Sequence, residues 1–195
     1  MPTRPPKSAS RGLRSSLRII GGRWRGRRVE FSAEPGLRPT PDRVRETLFN
    51  WLRAHMEGSR CLDLFAGSGA LSLEALSRGA AWVTAVDQSA SALQAIQANL
   101  HRFGGEGAEF IRADVLSWIR GAKGQYHIVF IDAPFTSDLV PACIHGLDAA
   151  DLLAPNALVY VEQAANRTAP ELPAGWSLHR EQQAGGVAFR LYTVN

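Results

Sequence analysis

Short apolar runs alternate with amphipathic stretches from residue 60 onward, and this alternation predicts the fold. The apolar runs have the length of strands buried on both faces, and the stretches between them repeat apolar residues at helical spacing. Such an alternation is typical of an α/β protein whose parallel sheet is covered by helices on both faces. Strands are predicted near residues 60–65, 82–86, 108–112, 126–131 and 157–161, and helices near residues 70–78, 89–103 and 136–149.

The end of the chain has a different pattern. Residues 176–180 and 187–192 form two further strand-like runs, and Ala184-Gly185-Gly186 lies between them. A glycine-rich connection of this length predicts an antiparallel pair. The sheet is therefore expected to be mostly parallel, with an antiparallel pair near its end.

Two elements are predicted ahead of the sheet. Residues 17–20 and 27–31 have the composition of strands, and the glycine-containing segment between them predicts a hairpin. A helix is predicted to run to about residue 55, with Thr40 as its N-cap and Pro41 at its first position. The charged residues of this helix lie on faces other than the apolar one, and they include Arg43, Arg45 and Glu46.

These elements divide the chain into three parts. Residues 1–16 contain too few apolar groups to pack and are predicted to be a flexible basic tail. Residues 17–35 are predicted to be a hairpin arm, and residues 36–195 the main α/β domain. No internal repeat is evident, and no linker separates a second domain.

Positive charge is concentrated at the beginning of the chain. Residues 1–45 contain 12 Lys or Arg and 3 acidic residues, whereas the rest contains 10 and 15. A basic segment on a slightly acidic body is typical of a protein that binds nucleic acid. Guanidinium groups bind phosphates and an indole can stack on a base, so the candidate RNA-binding residues are Arg23, Trp24, Arg25, Arg27, Arg28, Arg38 and Arg43. In the alternative interpretation, Trp24 packs on the body and the arginines are solvated.

Composition narrows the class of protein further. Hydrophobic residues make up 45% of the chain, without a membrane-spanning run or a signal-peptide core, so a cytoplasmic globular protein is expected. The five histidines have no metal-ligand spacing with one another or with a cysteine, and no metal site is predicted. Cys61 and Cys143 lie in apolar contexts and are expected to be buried, reduced thiols. A monomer is expected.

Acidic residues follow four successive strands of the predicted sheet. They are Asp63, Asp87, Asp114 and Asp132, and a glycine turn, Gly67-Ser68-Gly69, comes soon after the first of them. A doubly wound sheet binds its ligand at the carboxyl ends of its strands, and glycine lets backbone N–H groups approach that ligand. Two acids near a glycine turn suit the amines and hydroxyls of a nucleoside better than a pyrophosphate. An alternative role for Asp114 is to cap a helix that begins after it.

The fourth strand of the sheet leads directly into Asp132-Ala133-Pro134-Phe135. This tetrapeptide resembles the Asp/Asn-Pro-Pro-aromatic motif of S-adenosylmethionine-dependent amino methyltransferases, with Ala133 in place of the first proline. The exocyclic amine of a base is a poor nucleophile because its lone pair is delocalised into the ring. Asp132 and a backbone carbonyl can accept its two N–H hydrogens and favour a pyramidal nitrogen, and Phe135 offers a face to a flipped base.

Several stretches of the chain match a single protein family. The most specific are residues 17–27 and the segments 36–40 and 42–52, and further matches are Asp63–Gly69, Leu73–Arg78 and Trp176–Glu181. Over about residues 17–192, the chain resembles the bacterial 16S ribosomal RNA guanine-N2 methyltransferases of the RsmD family. The glycine turn contributes least to this resemblance because many methyltransferases share it.

The resemblance implies a Rossmann-like, S-adenosylmethionine-dependent methyltransferase with a seven-stranded sheet whose last strand is antiparallel. It implies methylation of guanine N2, at guanine 966 of 16S ribosomal RNA, on the small ribosomal subunit or an assembly intermediate. The glycine turn would hold the methionine part of the cofactor, Asp87 the ribose and Asp114 the adenine. The implied cofactor-binding residues are Asp63, Phe65, Ala66, Gly67, Ser68, Gly69, Asp87, Gln88, Asp114 and Val115. The implied catalytic residues are Asp132, Ala133, Pro134 and Phe135.

Two other classes of protein are compatible with part of the pattern. A dinucleotide-dependent oxidoreductase explains the glycine turn and Asp87, but neither the Asp132 motif nor the arginine-rich hairpin. A non-catalytic RNA-binding or ribosome-assembly protein is compatible with the alanine at position 133. The motif itself does not distinguish guanine N2 from adenine N6, cytosine N4 or a protein amide, and only the family resemblance does so.

Overall fold

The structure is a computed structural model that describes residues 14–32 and 40–195. In chain order, its strands are β1 (Arg14–Arg18), β2 (Arg28–Ser32), β3 (Arg60–Asp63), β4 (Trp82–Asp87), β5 (Ala108–Arg112), β6 (Tyr126–Ile131), β7 (Leu153–Ala164), β8 (Trp176–Ala184) and β9 (Val187–Val194). Its helices are α1 (Asp42–Trp51), α2 (Ala70–Ser77), α3 (Ala90–Arg102), α4 (Val115–Gly121) and α5 (Leu139–Ala149). Short 3-10 turns lie at Gly22–Trp24 and Arg53–His55.

Seven of these strands form one sheet in the order β5-β4-β3-β6-β7-β9-β8. Strands β3 to β7 pair in parallel, and β9 runs antiparallel to both of its neighbours. This architecture confirms the predicted mostly parallel sheet with an antiparallel last strand. The chain runs outward from β3 in one direction and returns to β6 on its other side. A ligand crevice is therefore expected at the carboxyl ends of β3 and β6.

Successive residues of the central strands pack on opposite faces of the sheet. In β6, Ile128 and Phe130 join a buried cluster with residues of α1, α2 and α3, whereas Val129 and Ile131 join a second cluster with residues of α4 and α5. Because both faces are covered, these strands need apolar residues at every position, which explains the continuous runs in the sequence. Within the described residues, no helix has the length and apolar character needed to cross a membrane.

The hairpin of β1 and β2 packs directly on the main domain. Leu17 lies opposite Val29 in the antiparallel pair, and Ile19, Trp24 and Val29 are buried in the cluster formed with α2 and α3. Strand β1 begins at Arg14, so the predicted end of the flexible tail at residue 16 was wrong. The first strand was also predicted too late in the sequence, since β1 ends at Arg18. The backbone of Ile19 bonds to Arg27 and Gly26 within the hairpin, and the Ile20 N–H donates to Glu74 of the main domain. Residues 1–13 and 33–39, and with them Arg38, lie outside the described part of the chain.

The helix after residue 40 differs from its prediction in three ways. Its N-cap is Pro41, and Thr40 donates its hydroxyl hydrogen to Asp132, so the prediction of a Thr40 cap was wrong. Regular helix ends at Trp51 and a 3-10 turn follows. Arg45 was expected on a polar face but is fully buried. Helix α4 was not among the predicted helical segments.

Glu74, a buried residue of α2, fixes the position of the hairpin. Its carboxylate accepts hydrogen bonds from the N–H groups of Ile20 and Gly21, each at 2.8 Å, and from Arg78 Nε at 2.7 Å. The guanidinium of Arg45 lies 3.5 Å away, and both side chains of this ion pair are fully buried. One carboxylate thus connects the hairpin, α1 and α2.

A second contact is made at the end of α2. The Ser77 hydroxyl accepts a hydrogen bond from the Trp24 N–H at 2.9 Å and donates one to the Gly21 carbonyl at 2.6 Å. Gly22 follows with φ +75°, and a Cβ there would lie 1.9 Å from the Ser77 carbonyl oxygen. Only glycine fits this approach of two backbones, which accounts for the glycine at position 22.

We expect Glu74→Ala to lower the free energy of unfolding by about 3–5 kcal/mol, because it removes the one fully buried carboxylate beside Arg45 and leaves this guanidinium, within the described part of the chain, paired only with Asp42, whose side chain is exposed. The measurement is urea denaturation of the purified protein. Trypsin should also cut the hairpin arginines faster in this variant, because the hairpin loses two of its backbone hydrogen bonds. The matched control is Glu109→Ala, which removes an exposed carboxylate from β5 and should change stability by less than about 1 kcal/mol. Equal losses in the two variants would contradict the anchoring role of Glu74.

Candidate active site

The glycine turn after β3 is held against the neighbouring strands by backbone hydrogen bonds. The N–H of Leu64 donates to a carbonyl of β6 at 3.1 Å, and the N–H of Ala66 donates to a carbonyl of β4 at 3.0 Å. Gly67 and Gly69 have φ of +48° and +78°, in the left-handed region that favours glycine. A Cβ on Gly69 would lie 2.7 Å from the Ile96 side chain, so α3 also requires a glycine where α2 begins.

Asp87 braces this turn from the end of β4. One carboxylate oxygen accepts the Gly67 N–H and the other accepts the Ser89 N–H, both at 2.8 Å. The side chain is half-buried, so part of it stays accessible to a ligand. This bracing role was not predicted from the sequence. The predicted contact of Asp87 with a ribose stays a prediction.

Asp114 lies at the start of α4 and caps that helix. Its Oδ1 accepts the Ser117 N–H at 2.9 Å, and its Oδ2 accepts a hydrogen from the Gln88 side chain at 3.2 Å. The hydrogen bond from the Ser117 backbone is the main reason that the pKa of Asp114 is lowered. The alternative role as a helix cap is therefore confirmed. Gln88 and Asp114 are exposed and Val115 is buried behind them, so an adenine contact at this edge stays a prediction.

Asp63 is a buried carboxyl at the end of β3. Ser72 donates a hydrogen bond to its Oδ2 at 2.6 Å, and its Oδ1 has no hydrogen-bond partner among residues 14–32 and 40–195. Burial raises the pKa of Asp63 to about 7, and the nearby carboxyls of Asp132 and Asp87 raise it further against the effect of Ser72. The unpartnered oxygen and the raised pKa both favour a cationic or hydrogen-bond-donating ligand beside this residue.

The segment Asp132 to Phe135 lies beside Asp63, at the end of β6. Asp132 is half-buried, and its pKa is raised by burial first and by the charge of Glu162 second. The Phe135 ring is 39% exposed, an unusual state for a large apolar side chain in this structure. The Pro134 carbonyl is engaged by the Ser137 N–H at 2.8 Å, which leaves the carbonyl of Ala133 as the acceptor next to Asp132. These groups can receive a planar amine and stack on its ring.

Two residues beside Asp132 were not predicted at the site from the sequence. Thr40 donates its hydroxyl hydrogen to Asp132 Oδ2 at 3.0 Å. Glu162 is buried near the carboxyl end of β7, where Tyr160 donates a hydrogen bond to it at 2.8 Å. A signal for Glu162 was present, because it is an acid at the end of an apolar run, like the four aspartates that the sequence analysis identified.

The candidate RNA-binding residues of the hairpin differ in exposure. The side chains of Arg23, Arg25, Arg27 and Arg28 are exposed. Trp24 is buried against Phe103, with ring centroids 5.4 Å apart. The prediction that Trp24 stacks on a base was therefore wrong, and the alternative of packing on the body is correct. Arg43 is exposed on α1.

The hairpin and the Asp132 side of the crevice are joined through one guanidinium. Arg45 donates a hydrogen bond to the Arg18 carbonyl at 3.0 Å and one to the Thr40 carbonyl at 3.3 Å. The end of β1 therefore lies close to the residue that contacts Asp132. The turn of the hairpin, which carries Arg23, Arg25 and Arg27, packs at the far end of α2, where the Trp24 N–H donates to Ser77.

The strand order, the single antiparallel strand and the glycine turn beside strand-end acids define a Rossmann-like methyltransferase. No group of three or more His, Cys, Asp or Glu is placed to hold a metal ion within residues 14–32 and 40–195. The family model described as Conserved hypothetical protein 95 matches residues 17–193. The chain belongs to this family, which is that of the ribosomal RNA small subunit methyltransferase D proteins.

Individual relatives agree with this membership. Ribosomal RNA small subunit methyltransferase D of Escherichia coli K12 is 47% identical over 176 residues, which cover 90% of this chain and 89% of that protein. The solved structure of yhhF from Escherichia coli has a TM-score of 0.84 at 44% identity, covering 92% of this chain and 98% of that one. A magnesium protoporphyrin IX methyltransferase from Synechocystis, solved with bound S-adenosylmethionine, has a TM-score of 0.61 at 18% identity, covering 78% and 79%. The similarity to this last structure, at 18% identity, supports only a shared fold.

The raised pKa of Asp63 predicts a pH dependence of stability. Its pKa is about 7 in the folded protein and about 4 in an unfolded chain. The folded state therefore binds the proton more tightly, and the free energy of unfolding should fall as the pH rises from about 4 to about 7. We expect Asp63→Asn to reduce this fall by up to about 4 kcal/mol, measured by urea denaturation at a series of pH values.

The comparison isolates Asp63 because Asp132 and Glu162, whose pKa values are also raised, are present in both proteins. The matched control is Asp151→Asn, an exposed position at the opposite end of the sheet, and it should keep the wild-type pH dependence. If Asp63→Asn keeps that dependence as well, Asp63 does not bind a proton in this range.

Proposed function

We propose that this chain transfers the methyl group of S-adenosylmethionine to the exocyclic N2 of a guanine in 16S ribosomal RNA, at guanine 966 of the small subunit. The proposal depends on one arrangement at the strand ends. The Asp132 carboxyl and the exposed Phe135 ring lie beside the glycine turn, which Asp87 holds by a hydrogen bond from Gly67. The family and the names of its relatives support a small-subunit ribosomal RNA as substrate. Such a substrate places the protein in the bacterial cytoplasm.

The cofactor assignment is supported by the chemistry of the strand ends. S-adenosylmethionine carries a sulfonium, an ammonium, two ribose hydroxyls and an adenine amine, all of which suit carboxylates. We assign the methionine part to the turn at Asp63–Gly69, the ribose to Asp87 and the adenine to the edge formed by Gln88, Asp114 and Val115. Gly67 allows close approach of a ligand to the backbone because it has no side chain. The protoporphyrin methyltransferase that shares the fold binds this cofactor.

The Asp132 segment supplies the chemistry for an amine substrate. The guanine N2 would donate its two hydrogens to the Asp132 carboxylate and the Ala133 carbonyl, with its ring on Phe135. That arrangement localises the nitrogen lone pair and directs it at the sulfonium methyl. The N–C bond would form as the C–S bond breaks, with its electron pair left on sulfur, and the methylated nitrogen would release one proton to solvent. Positioning accounts for most of the acceleration in this scheme.

An oxidoreductase is not supported by this geometry, because it gives no role to the open Phe135 ring or to the exposed hairpin arginines. The non-catalytic alternative differs from the proposal in one observable property, which is methyl transfer itself. Mass spectrometry of 16S ribosomal RNA from cells lacking the protein identifies the methylated nucleotide. Loss of a methyl group from guanine 966 is the result we expect, and an unchanged methylation pattern would contradict the proposed function.

Substitution of Asp132 tests the catalytic assignment. We expect Asp132→Ala to fold and bind S-adenosylmethionine but to methylate small subunits about 10²- to 10³-fold more slowly, the usual effect of removing one preorganised hydrogen-bonding group. Asp132→Asn should keep partial activity, because its amide oxygen still accepts one N–H. The measurement is single-turnover methylation at saturating cofactor.

Asp151→Asn serves as the control, since this exposed carboxyl lies at the opposite end of the sheet. Asparagine and alanine variants of Asp132 with equally low rates would indicate a general base in place of a hydrogen-bond acceptor, because an amide takes up no proton near neutral pH. A wild-type rate in Asp132→Ala would remove this residue from the active site.

Substitution of the hairpin arginines tests the RNA-binding surface. Replacing Arg23, Arg25, Arg27 and Arg28 by alanine should weaken RNA binding and reduce its salt dependence, by a logarithmic slope of about 0.7–0.9 for each lost phosphate contact. Cofactor affinity should not change. Filter binding across a salt series measures the slope.

The control for this experiment removes two exposed arginines outside the hairpin, Arg60 and Arg180. Arg60 begins β3, at the end of the sheet opposite the active site. The control protein should keep the wild-type slope. If both proteins have that slope, RNA binds elsewhere.

A further inference from the structure

Thr40 lies between two carboxyl groups at the edge of the active site. Its hydroxyl donates to Asp132 Oδ2 at 3.0 Å. The same hydroxyl lowers the pKa of Glu162, against the larger effect of burial, so it also lies near that carboxyl. On the far side of Glu162, the Tyr160 hydroxyl donates to Oε2 at 2.8 Å. Thr40, Tyr160 and Glu162 are buried, and Asp132 is the member that reaches the crevice.

The hydroxyl hydrogen of Thr40 cannot satisfy two ionised carboxyls at once, and this limits the total charge of Asp132 and Glu162. Thr40 has one O–H, so it can donate to only one of the two carboxyls. If both carboxyls were ionised, the threonine oxygen would face a second carboxylate oxygen, and two negative charges would share a buried region. The ion pairs found within residues 14–32 and 40–195 include neither Asp132 nor Glu162. A single proton on one carboxyl satisfies every contact.

We propose that Asp132 and Glu162 share one proton through Thr40, and that Glu162 and Thr40 are positioning residues that set the charge and orientation of the Asp132 carboxyl. With the proton on Glu162, the hydrogen bonds run from Tyr160 to Glu162, from Glu162 to Thr40 and from Thr40 to Asp132. One oxygen of a charged Asp132 is then held by Thr40, and the other is free to accept the substrate amine. This inference deepens the proposed function and rests on it.

The surrounding charges are consistent with a shared proton. Burial and mutual repulsion raise the pKa of Asp132, and burial raises the pKa of Glu162. Burial raises the pKa of Tyr160, and the carboxyls of Glu162 and Asp132 raise it further, so this hydroxyl stays neutral. The carboxyl of Asp63 also lies near that of Asp132. The guanidinium of Arg45 donates through Nε to the Thr40 carbonyl and pairs with neither Asp132 nor Glu162.

The first test separates positioning from binding. Thr40→Val keeps the shape of the side chain but removes the hydroxyl, and we expect a fall of about 10- to 100-fold in the single-turnover rate, because Asp132 loses a hydrogen bond to its charged form. The KM values for cofactor and small subunit should stay within about twofold of wild type. Thr40→Ser should recover most of the lost rate. If Thr40→Val turns over at the wild-type rate, or if Thr40→Ser is as slow as Thr40→Val, the proposal is overturned.

The pH profile of the rate provides a second test. In the wild type, the rate should fall at low pH as Asp132 takes up a proton, and again at high pH as Glu162 loses its own. Glu162→Gln mimics the protonated carboxyl, so it should recover much of the rate lost in Glu162→Ala and should lack the high-pH fall. The control Glu109→Gln should keep the fall in rate at both low and high pH. A high-pH limb that is the same in Glu162→Gln and wild type would overturn the shared proton.

A third measurement is independent of the reaction. Carbon-detected NMR of the side-chain carboxyls in the full-length protein reports the proton on each group without RNA. We expect Glu162 to be protonated near neutral pH and its pKa to fall in Asp132→Asn, because the neighbouring negative charge is removed. If Glu162 is ionised near neutral pH and its pKa does not change in Asp132→Asn, the inference is overturned, even if the protein methylates RNA. If this titration behaves as expected but no methylation occurs, the proposed function fails and the carboxyl pair stands.

Discussion

The buried ion pair of Arg45 and Glu74 is the interaction on which the positions of the hairpin, α1 and the active site depend. Removing two charges from water is costly, and the cost is offset only when other hydrogen bonds satisfy both groups. Glu74 obtains them from the backbone N–H groups at Ile20 and Gly21. Arg45 obtains them from the carbonyls of Arg18 and Thr40 and from the Asp42 carboxylate, and within the described residues its Nη1 has only the Glu74 contact at 3.5 Å. Because Glu74 binds the backbone of the hairpin and Arg45 binds the end of β1, the pair fixes the position of the hairpin on α1 and α2.

This pair also connects the surface proposed to bind RNA with the residue proposed to receive the base. The guanidinium of Arg45 holds the carbonyl of Thr40, and the hydroxyl of the same threonine contacts Asp132. On its other side, the guanidinium holds β1, which leads into the exposed arginines. A displacement of the hairpin would therefore be transmitted to Asp132 through two hydrogen bonds. This geometry explains why an enzyme of this size places its basic hairpin against α2 and does not carry it on a free linker.

The sheet and its glycine turn could be predicted from the sequence because both depend on local signals. Strands buried on two faces must be apolar throughout, and a turn with positive φ requires glycine. Thr40, Arg45 and Trp24 were misassigned because their partners are distant in the chain. A threonine before a proline and a helix has the local pattern of a cap, and its bond to Asp132, 92 residues away, leaves no trace in that pattern. Glu162 was overlooked although it follows the apolar run 157–161 as the aspartates follow theirs, because nothing local in the sequence shows that its carboxyl lies near Asp132.

The acids at the strand ends create a negative potential that the proposed cofactor can neutralise. Asp63, Asp132 and Glu162 each have a raised pKa, mainly because burial disfavours their charged forms. S-adenosylmethionine brings a sulfonium and an ammonium into this region, so its binding favours ionisation of the nearby carboxyls and recovers part of the cost of burying them. Methyl transfer removes the sulfonium charge, and the neutral thioether of the product is attracted less strongly than the substrate. The same carboxyls that are costly in the empty protein therefore favour binding of the cationic cofactor over its product.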